Sequence, residues 1–317
     1  MRSAFIDELC ELAEADEKIW LICGDLGYSV LEAFSDRFPK RYLNAGVAEQ
    51  NMTGIAAGLA LTGKIVFTYS IANFPVMRCL EQVRNDVCYH NLNVKIVSVG
   101  GGLAYGSHGY THHGVEDLAV MSVLPNMTVI APGDPVEVRA ATRSVIAHAG
   151  PAYLRLGKAG EPILHKAPVD FQIGRAIQVE DGDDLTLIST GGMLGETLNA
   201  AATLSSKGLS IRVLSMPCLM PFDTDAVRCA SRETGGIITV EEHGPGGLGT
   251  RTAEVLAEIR NAALFYPVRL ARMVIKMAGS QAQLRGSQGV CASGIVSRAE
   301  QMLAESLKTC KDRNLSP

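Results

Sequence analysis

The chain contains 317 residues, of which 47% are hydrophobic and 20% charged, enough to bury the cores of about two domains. Its net charge of −4 and its lack of any block of like charges argue against a nucleic-acid partner. No stretch of about 18 consecutive apolar residues occurs, so the sequence predicts no membrane-spanning helix.

The beginning of the chain and its cysteines indicate the cellular compartment. The segment MRSAFIDELCELAEADEK has the pattern of an acidic amphipathic helix and not that of a signal peptide. The eight cysteines form no Cys-x-x-Cys pair, and several of them lie in apolar runs. We therefore expect buried, reduced thiols and a cytoplasmic location.

Helical and strand-like segments alternate in the first half of the chain. The predicted strands are 19–25, 41–44, 64–70, 94–101 and 127–134, and the predicted helices are 3–17, a segment ending at Phe38, 49–61, 77–91 and a segment starting near Pro135. Alternation of this kind is typical of a parallel, doubly wound α/β sheet.

After Arg155 the alternation is interrupted by a proline-containing segment, and a second α/β unit follows. Its predicted strands are 185–190, 210–215, 235–243 and 268–275, and its predicted helices are 194–207, 223–233 and 250–260. We therefore expect two doubly wound α/β domains, the first at residues 1–160 and the second at 183–317, joined by a linker at 161–182.

Glu49 begins a predicted helix rich in small residues, EQNMTGIAAGLA. Glycine and alanine let another helix or backbone approach closely, and a carboxylate placed at such a contact would be desolvated. From the pattern alone, the alternative is that Glu49 is a charge at the helix N-terminus that interacts with the helix dipole.

A glycine-rich loop with three histidines follows the predicted strand 94–101. The loop carries His108, His112 and His113, and ligands of α/β sheets bind beside loops at the carboxyl ends of parallel strands. Histidines without a nearby cysteine or committed carboxylate are weak evidence for a metal site, so we predict no metal ligand in this chain. From the pattern alone, a solvated loop and a catalytic loop both remain open.

The segment GPGGLG at residues 244–249 formally matches the dinucleotide-binding pattern Gly-x-Gly-x-x-Gly. A dinucleotide site needs an acidic residue at the end of the next strand, and VRLARMVIKMAG contains none. The motif therefore predicts a tight turn with close packing, with nucleotide binding as the weaker alternative.

Several segments, taken together and in order, resemble the transketolase family. NAGVAEQNMTGIAAGLALTGKIVF, FPVMRCLEQVRNDVCYHNLNVKIV, YGSHGYTHHGVEDLAVMSVLPNMTVIAPGDP and AYLRLGK are similar to the domain that binds the pyrimidine of thiamine diphosphate in that family. LTLISTGGMLGETLNAAATL, GLSIRVLSMPCLMPFD and IITVEEHGPGGLG resemble its carboxyl-terminal domain. The resemblance covers essentially the whole chain.

The resemblance also implies a missing part. A full-length transketolase has an amino-terminal domain that binds the diphosphate of thiamine diphosphate and Mg²⁺ through a Gly-Asp-Gly motif, and that tripeptide does not occur here. We therefore expect the carboxyl-terminal subunit of a split transketolase. Its partner would be a diphosphate-binding, amino-terminal subunit, and two copies of this chain, paired through their Ala/Gly-rich helices, would join two partners in an α2β2 heterotetramer that acts on small sugars.

The same resemblance implies roles for individual residues. Glu49 matches the glutamate that shares a proton with the aminopyrimidine ring, and His112 matches the histidine that hydrogen-bonds the carbons being transferred. The remaining implied contacts are Asp25, Leu26, Ile71 and Phe74 for the cofactor, and Ser29, His108 and Arg155 for the substrate, Ser29 and Arg155 through a sugar phosphate.

Three positions depart from the family pattern. Ile71 stands where a second aromatic residue is frequent, His108 stands where sugar-phosphate transketolases commonly carry an aspartate, and Gly100 stands in place of a family histidine. Replacing a carboxylate by an imidazole changes both charge and hydrogen-bond polarity, so we expect an unusual acceptor, such as an unphosphorylated sugar.

Other functions remain open at the level of sequence. The beta subunit of a 2-oxoacid dehydrogenase or an enzyme like 1-deoxyxylulose 5-phosphate synthase would use the same fold, cofactor and glutamate. A non-catalytic regulatory or structural subunit would keep only the fold. The presence together of Glu49, Phe74 and His112 favours an enzyme, and the Gly-Tyr-Thr-His-His loop favours a transketolase.

Overall fold

Two α/β domains make up the protein, each with a mostly parallel sheet between helices. The computed structural model describes residues 1–260 and 263–313, with side chains described as far as Glu305. Within these residues, no helix is both long and apolar enough to cross a membrane.

The first sheet has seven strands, all parallel except one at its edge. In spatial order they are β10 (Cys218–Met220), β5 (Thr128–Ile130), β6 (Ala152–Leu156), β4 (Val94–Val99), β3 (Ile65–Ile71), β1 (Ile19–Cys23) and β2 (Tyr42–Asn44). The antiparallel strand is β10, which pairs with β5 although it comes from the second half of the chain. The residues of β3, β4 and β6 are buried except Ile71 at the end of β3, as expected when helices cover both faces of a parallel sheet.

Six helices belong to this half of the chain. They are α1 (Arg2–Ala15), α2 (Glu32–Arg37), α3 (Glu49–Leu61), α4 (Leu80–Gln82), α5 (Asp117–Ser122) and α6 (Pro135–Ala147). The short α4 lies between two π-helical turns, Phe74–Arg78 and Val83–Cys88, so the predicted helix 77–91 begins earlier than expected. Asp134 caps α6 by accepting a hydrogen bond from the Glu137 backbone N–H.

The second sheet has five strands and is covered by the remaining helices. The strands, in spatial order, are β12 (Leu264–Val268), β11 (Gly236–Val240), β8 (Leu185–Ser189), β9 (Ile211–Ser215) and β7 (Ile177–Glu180). The helices are α7 (Leu194–Ser205), α8 (Thr224–Glu233), α9 (Leu248–Glu258), α10 (Gln281–Ser287) and α11 (Ala292–Arg313). Only β7 runs antiparallel, beside β9.

The structure differs from the sequence prediction at the end of the second sheet. The strand predicted at 268–275 is wrong, because the chain instead forms β12 at Leu264–Val268, parallel to β11. Pro267 is tolerated there because β12 is an edge strand. Leu270 and Ile275 do enter the core, but they do so from irregular backbone.

The segment between the two domains, predicted as a linker, contains a strand of the second sheet. The predicted linker 161–182 ends in β7, whose alternating burial is typical of a strand with one face in solvent. One apolar core contains Met52 and Val129 of the first domain together with Ile188 and Leu248 of the second. The two domains therefore share part of their core.

Parallel register brings the candidate site residues to one edge of the first sheet. Cys23 pairs with Asn44 and with Tyr69, and Val99 pairs with Ile71 and with Leu156. The loops that follow β1, β2, β3, β4 and β6 therefore leave the sheet on the same side.

Candidate active site

Glu49 lies at the base of the site, in the first turn of α3. Its side chain is 2% exposed, and its Oε2 accepts a hydrogen bond from Arg78 Nη1 at 2.7 Å. A Cβ added to Gly24 would lie 3.5 Å from Glu49 Cγ and 3.7 Å from Ser70 Oγ, so the end of β1 packs close to the carboxylate. Sequence predicted the desolvation of Glu49 but not its contact with Arg78.

Phe74 and His112 stand beside this ion pair. The Arg78 guanidinium lies 4.8 Å from the centre of the Phe74 ring, and the His112 ring meets the Phe74 ring edge to face at 5.4 Å. Arg78 is 49% exposed, whereas its partner Glu49 is buried. Glu49 and Phe74, both predicted to contact the cofactor, thus lie near each other, with Arg78 in contact with both.

A cleft of about 690 Å³ opens next to Phe74 and Arg78. Its other walls come from the loop that follows β4, including Tyr110 and His113, and from the start of α5 at Asp117. The cleft has both apolar and charged walls, which suits a ring carrying polar substituents.

The loop that carries His108, His112 and His113 folds so that its first two imidazole rings lie close together and tilted. The His108 and His112 rings lie 5.0 Å apart, and each Nδ1 pairs with the hydroxyl of the preceding residue, Ser107 or Thr111. Burial, and secondly the neighbouring His108, lower the pKa of His112. His112 is therefore neutral at pH 7, with its Nε2 available for hydrogen bonding.

Tyr105 occupies the space beside Gly100, where the family pattern has a histidine. Gly100 has a φ of +76°, and a Cβ on it would lie 2.0 Å from Tyr105 Cε2. The Tyr105 ring meets His108 edge to face at 5.6 Å. This aromatic neighbour of the two histidines could not be identified from the sequence.

The loop after β1 carries three predicted contact residues at the same edge of the sheet. Asp25 and Ser29 are exposed and have φ values of 57° and 62°, and Leu26 packs against an apolar cluster. Asp25 is held by the side chains of Asn44 and Tyr28, whose N–H and O–H groups donate to its Oδ1 at 2.9 and 3.1 Å. This loop lies at the same edge of the first sheet as Phe74, Arg78 and His112. Within the described residues, no direct hydrogen bond joins the loop to these three side chains.

Ile71 ends β3 and is half-buried, three residues before Phe74. Its position agrees with the predicted ring contact, which remains a prediction.

The surroundings of Arg155 differ from those expected of a residue that contacts a sugar phosphate. Its side chain is 6% exposed, and its Nε donates to Asp117 Oδ2 at 2.9 Å. Its Nη2 donates to the carbonyl oxygens of Gly114 and Glu242 at 2.6 and 3.1 Å. Arg155 therefore fastens the histidine loop to the second domain, and only Nη1 is left for a sugar phosphate.

The GPGGLG segment is a turn whose helix N-terminus is filled by a side chain of the protein itself. The Glu241 carboxylate accepts hydrogen bonds from the backbone N–H groups of Leu248 and Gly249, each at 2.8 Å. A Cβ on Gly247 would lie 2.0 Å from Glu241 Oε2. The predicted close packing is confirmed, and the place that a nucleotide phosphate would need is occupied by a carboxylate.

Among the described residues, one group of side chains has the spacing of metal ligands, namely Asp134, Glu137 and His165. Asp134 Oδ2 accepts from the backbone N–H groups of Leu164 and His165, and Glu137 Oε2 accepts from that of Gly133. Glu137 Oε1 lies 2.9 Å from His165 Nε2. Because each carboxylate oxygen already has a partner, the group fastens the segment after β6 to α6.

Comparison with known proteins adds the following similarities. The family profile described as "Transketolase, pyrimidine binding domain" matches residues 1–160, and the one described as "Transketolase, C-terminal domain" matches residues 174–295. The chain is 41% identical over 260 residues to one of the apulose-4-phosphate transketolase subunits of Phocaeicola vulgatus, covering 81% of this chain and 83% of that protein.

Two further similarities concern a solved structure and a second class of relative. A structure titled "Split gene transketolase, inactive beta4 tetramer" superposes with a TM-score of 0.87 at 36% identity, covering 96% of this chain and 97% of that one. The 1-deoxy-D-xylulose-5-phosphate synthase 1 of Geobacter sulfurreducens is 36% identical over 310 residues, which are 95% of this chain but 47% of that protein.

Proposed function

The chain belongs to the transketolase family, and we propose that it is one of the two kinds of subunit of a thiamine-diphosphate-dependent transketolase. The enzyme would transfer a two-carbon ketol unit from a ketose to an aldehyde or aldose. The observation that carries the proposal is the buried Glu49 carboxylate, connected through Arg78 to Phe74 and His112 at the edge of the sheet.

The residues present fit the aminopyrimidine half of the cofactor. Glu49 offers a desolvated carboxylate, and the hydroxyl of Ser70 near it is buried without a hydrogen-bond partner among the described residues. Phe74 and Ile71 would contact the ring, and Asp25 and Leu26 would contact the cofactor from the loop after β1. When bound, thiamine diphosphate supplies a carbon nucleophile for the ketose carbonyl.

The residues of this chain would then handle protons and orientation. Glu49 would hold a proton against a ring nitrogen, which needs a carboxylate oxygen, either Oε1 or the Oε2 now bonded to Arg78. Arg78 can move because it is half exposed. His112, being neutral, would accept or donate a hydrogen bond at the oxygens carried by the two carbons being transferred.

The diphosphate and Mg²⁺ would be held by a partner subunit. Among the described residues, the one group with metal-ligand spacing already has its carboxylate oxygens hydrogen-bonded, as described above for Asp134 and Glu137. The similar protein of Phocaeicola vulgatus is named as one subunit of a transketolase, which supports a two-chain enzyme. We therefore propose a separate diphosphate-binding chain as the partner.

We further propose that two copies of this chain pair within an α2β2 heterotetramer. The outward face of α3 carries Gly54, Gly58 and Leu61, all exposed, with open space around both glycines. Small residues spaced four apart let a second helix approach closely, and Leu61, 68% exposed, would gain a contact. Native mass spectrometry of the co-purified subunits should give the α2β2 mass, and an αβ mass at all concentrations would contradict this assembly.

The free thiols support a proposal about the cellular location. Seven cysteines are described, all free, and five of them are buried. We propose a reducing compartment, the cytoplasm, because nothing in the fold depends on a disulfide among these seven.

The test is reconstitution with the diphosphate-binding subunit, thiamine diphosphate and Mg²⁺, assayed with a panel of ketoses and aldehydes. We expect activity only when both subunits are present, and Glu49→Gln should lower kcat by about 10²- to 10⁴-fold, the usual contribution of acid–base catalysis. Glu11→Gln, on the exposed face of α1, is the matched control. Undiminished activity of a folded Glu49→Gln variant would refute the assignment.

A decarboxylating reaction is the second candidate, favoured by the similarity to a 1-deoxy-D-xylulose-5-phosphate synthase over 95% of this chain. The same reconstituted enzyme distinguishes the two reactions. Release of carbon dioxide from pyruvate in the presence of glyceraldehyde 3-phosphate, without turnover of any ketose donor, would favour the synthase.

A further inference from the structure

The second domain packs against the loop that carries the three histidines. Every described residue that lines the cleft beside Phe74 and Arg78 lies between positions 73 and 117, in the first domain. Residues 102–114, which we call the histidine loop, contact the second domain at their base and at their first turn. The loop therefore gives the second domain an indirect route to the cleft.

The base of the histidine loop is closed by two glycines and seated in the second domain. Gly102 and Gly114 exchange two backbone hydrogen bonds, at 2.7 and 3.0 Å. The neighbouring side chains of Leu103 and Val115 are buried in the apolar cluster of the second domain that also contains Leu284 of α10. These apolar contacts hold the base of the loop against the second domain.

A buried carboxylate of the second domain also lies against the base of the loop. A Cβ added to Gly102 would lie 2.5 Å from Glu242 Oε2, so the carboxylate packs directly on the loop backbone. Glu242 accepts hydrogen bonds from Arg285 Nε and Nη2 at 3.0 and 2.8 Å, and from Gln281 Nε2 at 2.9 Å. Because both donors belong to α10, this carboxylate connects α10 to the base of the loop.

Helix α10 also contacts the first turn of the loop. Gly106 begins the 3₁₀ turn Gly106–His108, and a Cβ on it would lie 2.5 Å from Leu284 Cδ1 and 2.6 Å from the carbonyl oxygen of Gly279. The Gly279 N–H donates to the carbonyl oxygen of Gly106 at 3.3 Å. Leu284 is fully buried, so it is fixed where it meets Gly106.

Two backbone hydrogen bonds join the turn at Gly106 to His112. The Gly109 N–H donates to the carbonyl oxygen of Gly106 at 3.3 Å, and the His112 N–H donates to that of Gly109 at 3.0 Å. The His112 ring in turn meets the Phe74 ring at 5.4 Å. A displacement of Gly106 relative to α10 would consequently move His112 relative to Phe74.

We propose that Leu284, together with the pair Glu242 and Arg285, positions His112 for the transfer reaction. Leu284 does not line the cleft, so it is a positioning residue and not a catalytic one. The inference rests on the proposed transketolase function and gives the second domain a part in it, because α10 fixes the place from which His112 would reach the substrate. A displacement of about 1 Å at a reacting group can lower a rate about 100-fold.

The test replaces Leu284 in the reconstituted enzyme. Leu284→Ala removes the contact with Gly106 and should lower kcat about 10- to 100-fold. The concentration of thiamine diphosphate that gives half-maximal activity should stay unchanged, because Glu49 and Phe74 lie on other elements. Leu284→Met, which keeps a similar volume, should restore most of kcat. Leu204→Ala is the matched control, since Leu204 is equally buried in the same apolar cluster but lies on α7.

A measurement on the purified full chain tests the positioning without turnover. The ring current of Phe74 acts on the ring protons of His112, so their NMR shifts, assigned with His112→Gln, report how the two rings are placed. We expect these shifts to change in Leu284→Ala, to return in Leu284→Met and to stay the same in Leu204→Ala. If the reconstituted pair transfers no ketol unit, the shifts still decide whether α10 positions His112.

Three outcomes would overturn the proposal. Unchanged His112 shifts in a folded Leu284→Ala variant would show that the histidine loop keeps its place without α10. Changed shifts with an undiminished kcat would show that the reaction does not depend on that place. Equal losses in Leu284→Ala and Leu204→Ala would mean that both substitutions act by general destabilisation. If Leu284→Ala does not fold, Leu284→Val, which leaves a smaller gap, is judged by the same criteria.

Discussion

Glu241 should make the stability of the protein depend on pH in a defined window. The carboxyl group is fully buried at the end of β11, and burial raises its pKa from 4.5 to about 7, against the opposing effect of the Gly249 and Leu248 N–H groups. Because the folded pKa lies above the unfolded one, the stabilisation is complete below pH about 4.5 and is lost as the pH rises through about 7.

The size of the effect follows from the two pKa values. The rise from 4.5 to about 7 corresponds to about 3 kcal/mol, and most of this change in the free energy of unfolding falls between pH 5 and pH 8. Glu241→Gln removes the titration but keeps an oxygen that accepts from Leu248 or Gly249. The free energy of unfolding of the wild type, measured relative to this variant, should therefore fall by about 2–3 kcal/mol over that range.

Urea unfolding followed by far-UV circular dichroism at pH 5 and pH 8 measures this difference. Other titrating groups cancel because both proteins carry them. Glu254→Gln, which removes an exposed carboxylate from α9, is the matched control. If the difference between wild type and Glu241→Gln did not change with pH, Glu241 would be ionised throughout, and the two N–H bonds would outweigh its burial.

Two further predictions concern the contacts that fasten the segments around the site. The hydrogen bond that His165 donates to the Glu137 carboxylate raises the pKa of His165. The stabilisation by this bond is complete below pH about 6.5 and is lost as the pH rises through the folded pKa. His165→Gln should therefore cost about 1 kcal/mol at pH 5.5 and less at pH 8.5 in urea unfolding, and equal costs would contradict this prediction. Asp117→Asn leaves the Arg155 guanidinium buried without its anion, and should lower the free energy of unfolding by about 3–5 kcal/mol; a loss below about 1 kcal/mol would show that the carbonyl oxygens of Gly114 and Glu242 suffice.

The sequence predicts best those features that depend on local pattern. The helix at Glu49–Leu61 has the predicted bounds because a run of small residues follows a polar start. The strands β3 and β4 are recognisable because both of their faces are buried and most of their residues are apolar. The edge of the sheet that carries the loops follows from the β–α alternation alone.

The features that the sequence does not predict depend on contacts between distant residues. Strand β6 contains Arg155, whose charge is tolerated because Asp117, 38 residues away, pairs with it. Likewise, Arg78 and Tyr105 have no local pattern that points to a site. Their places are set by Glu49 and by the open space at Gly100, which only the folded chain reveals.

The antiparallel strand β10 belongs to the second half of the chain but completes the sheet of the first domain, beside β5. A fragment cut near residue 160 would keep six strands of the first sheet but would expose the whole backbone edge of β5, ready to pair with another chain. The two halves of the chain are therefore not independent units, because the first half on its own would need another strand to cover the edge of β5.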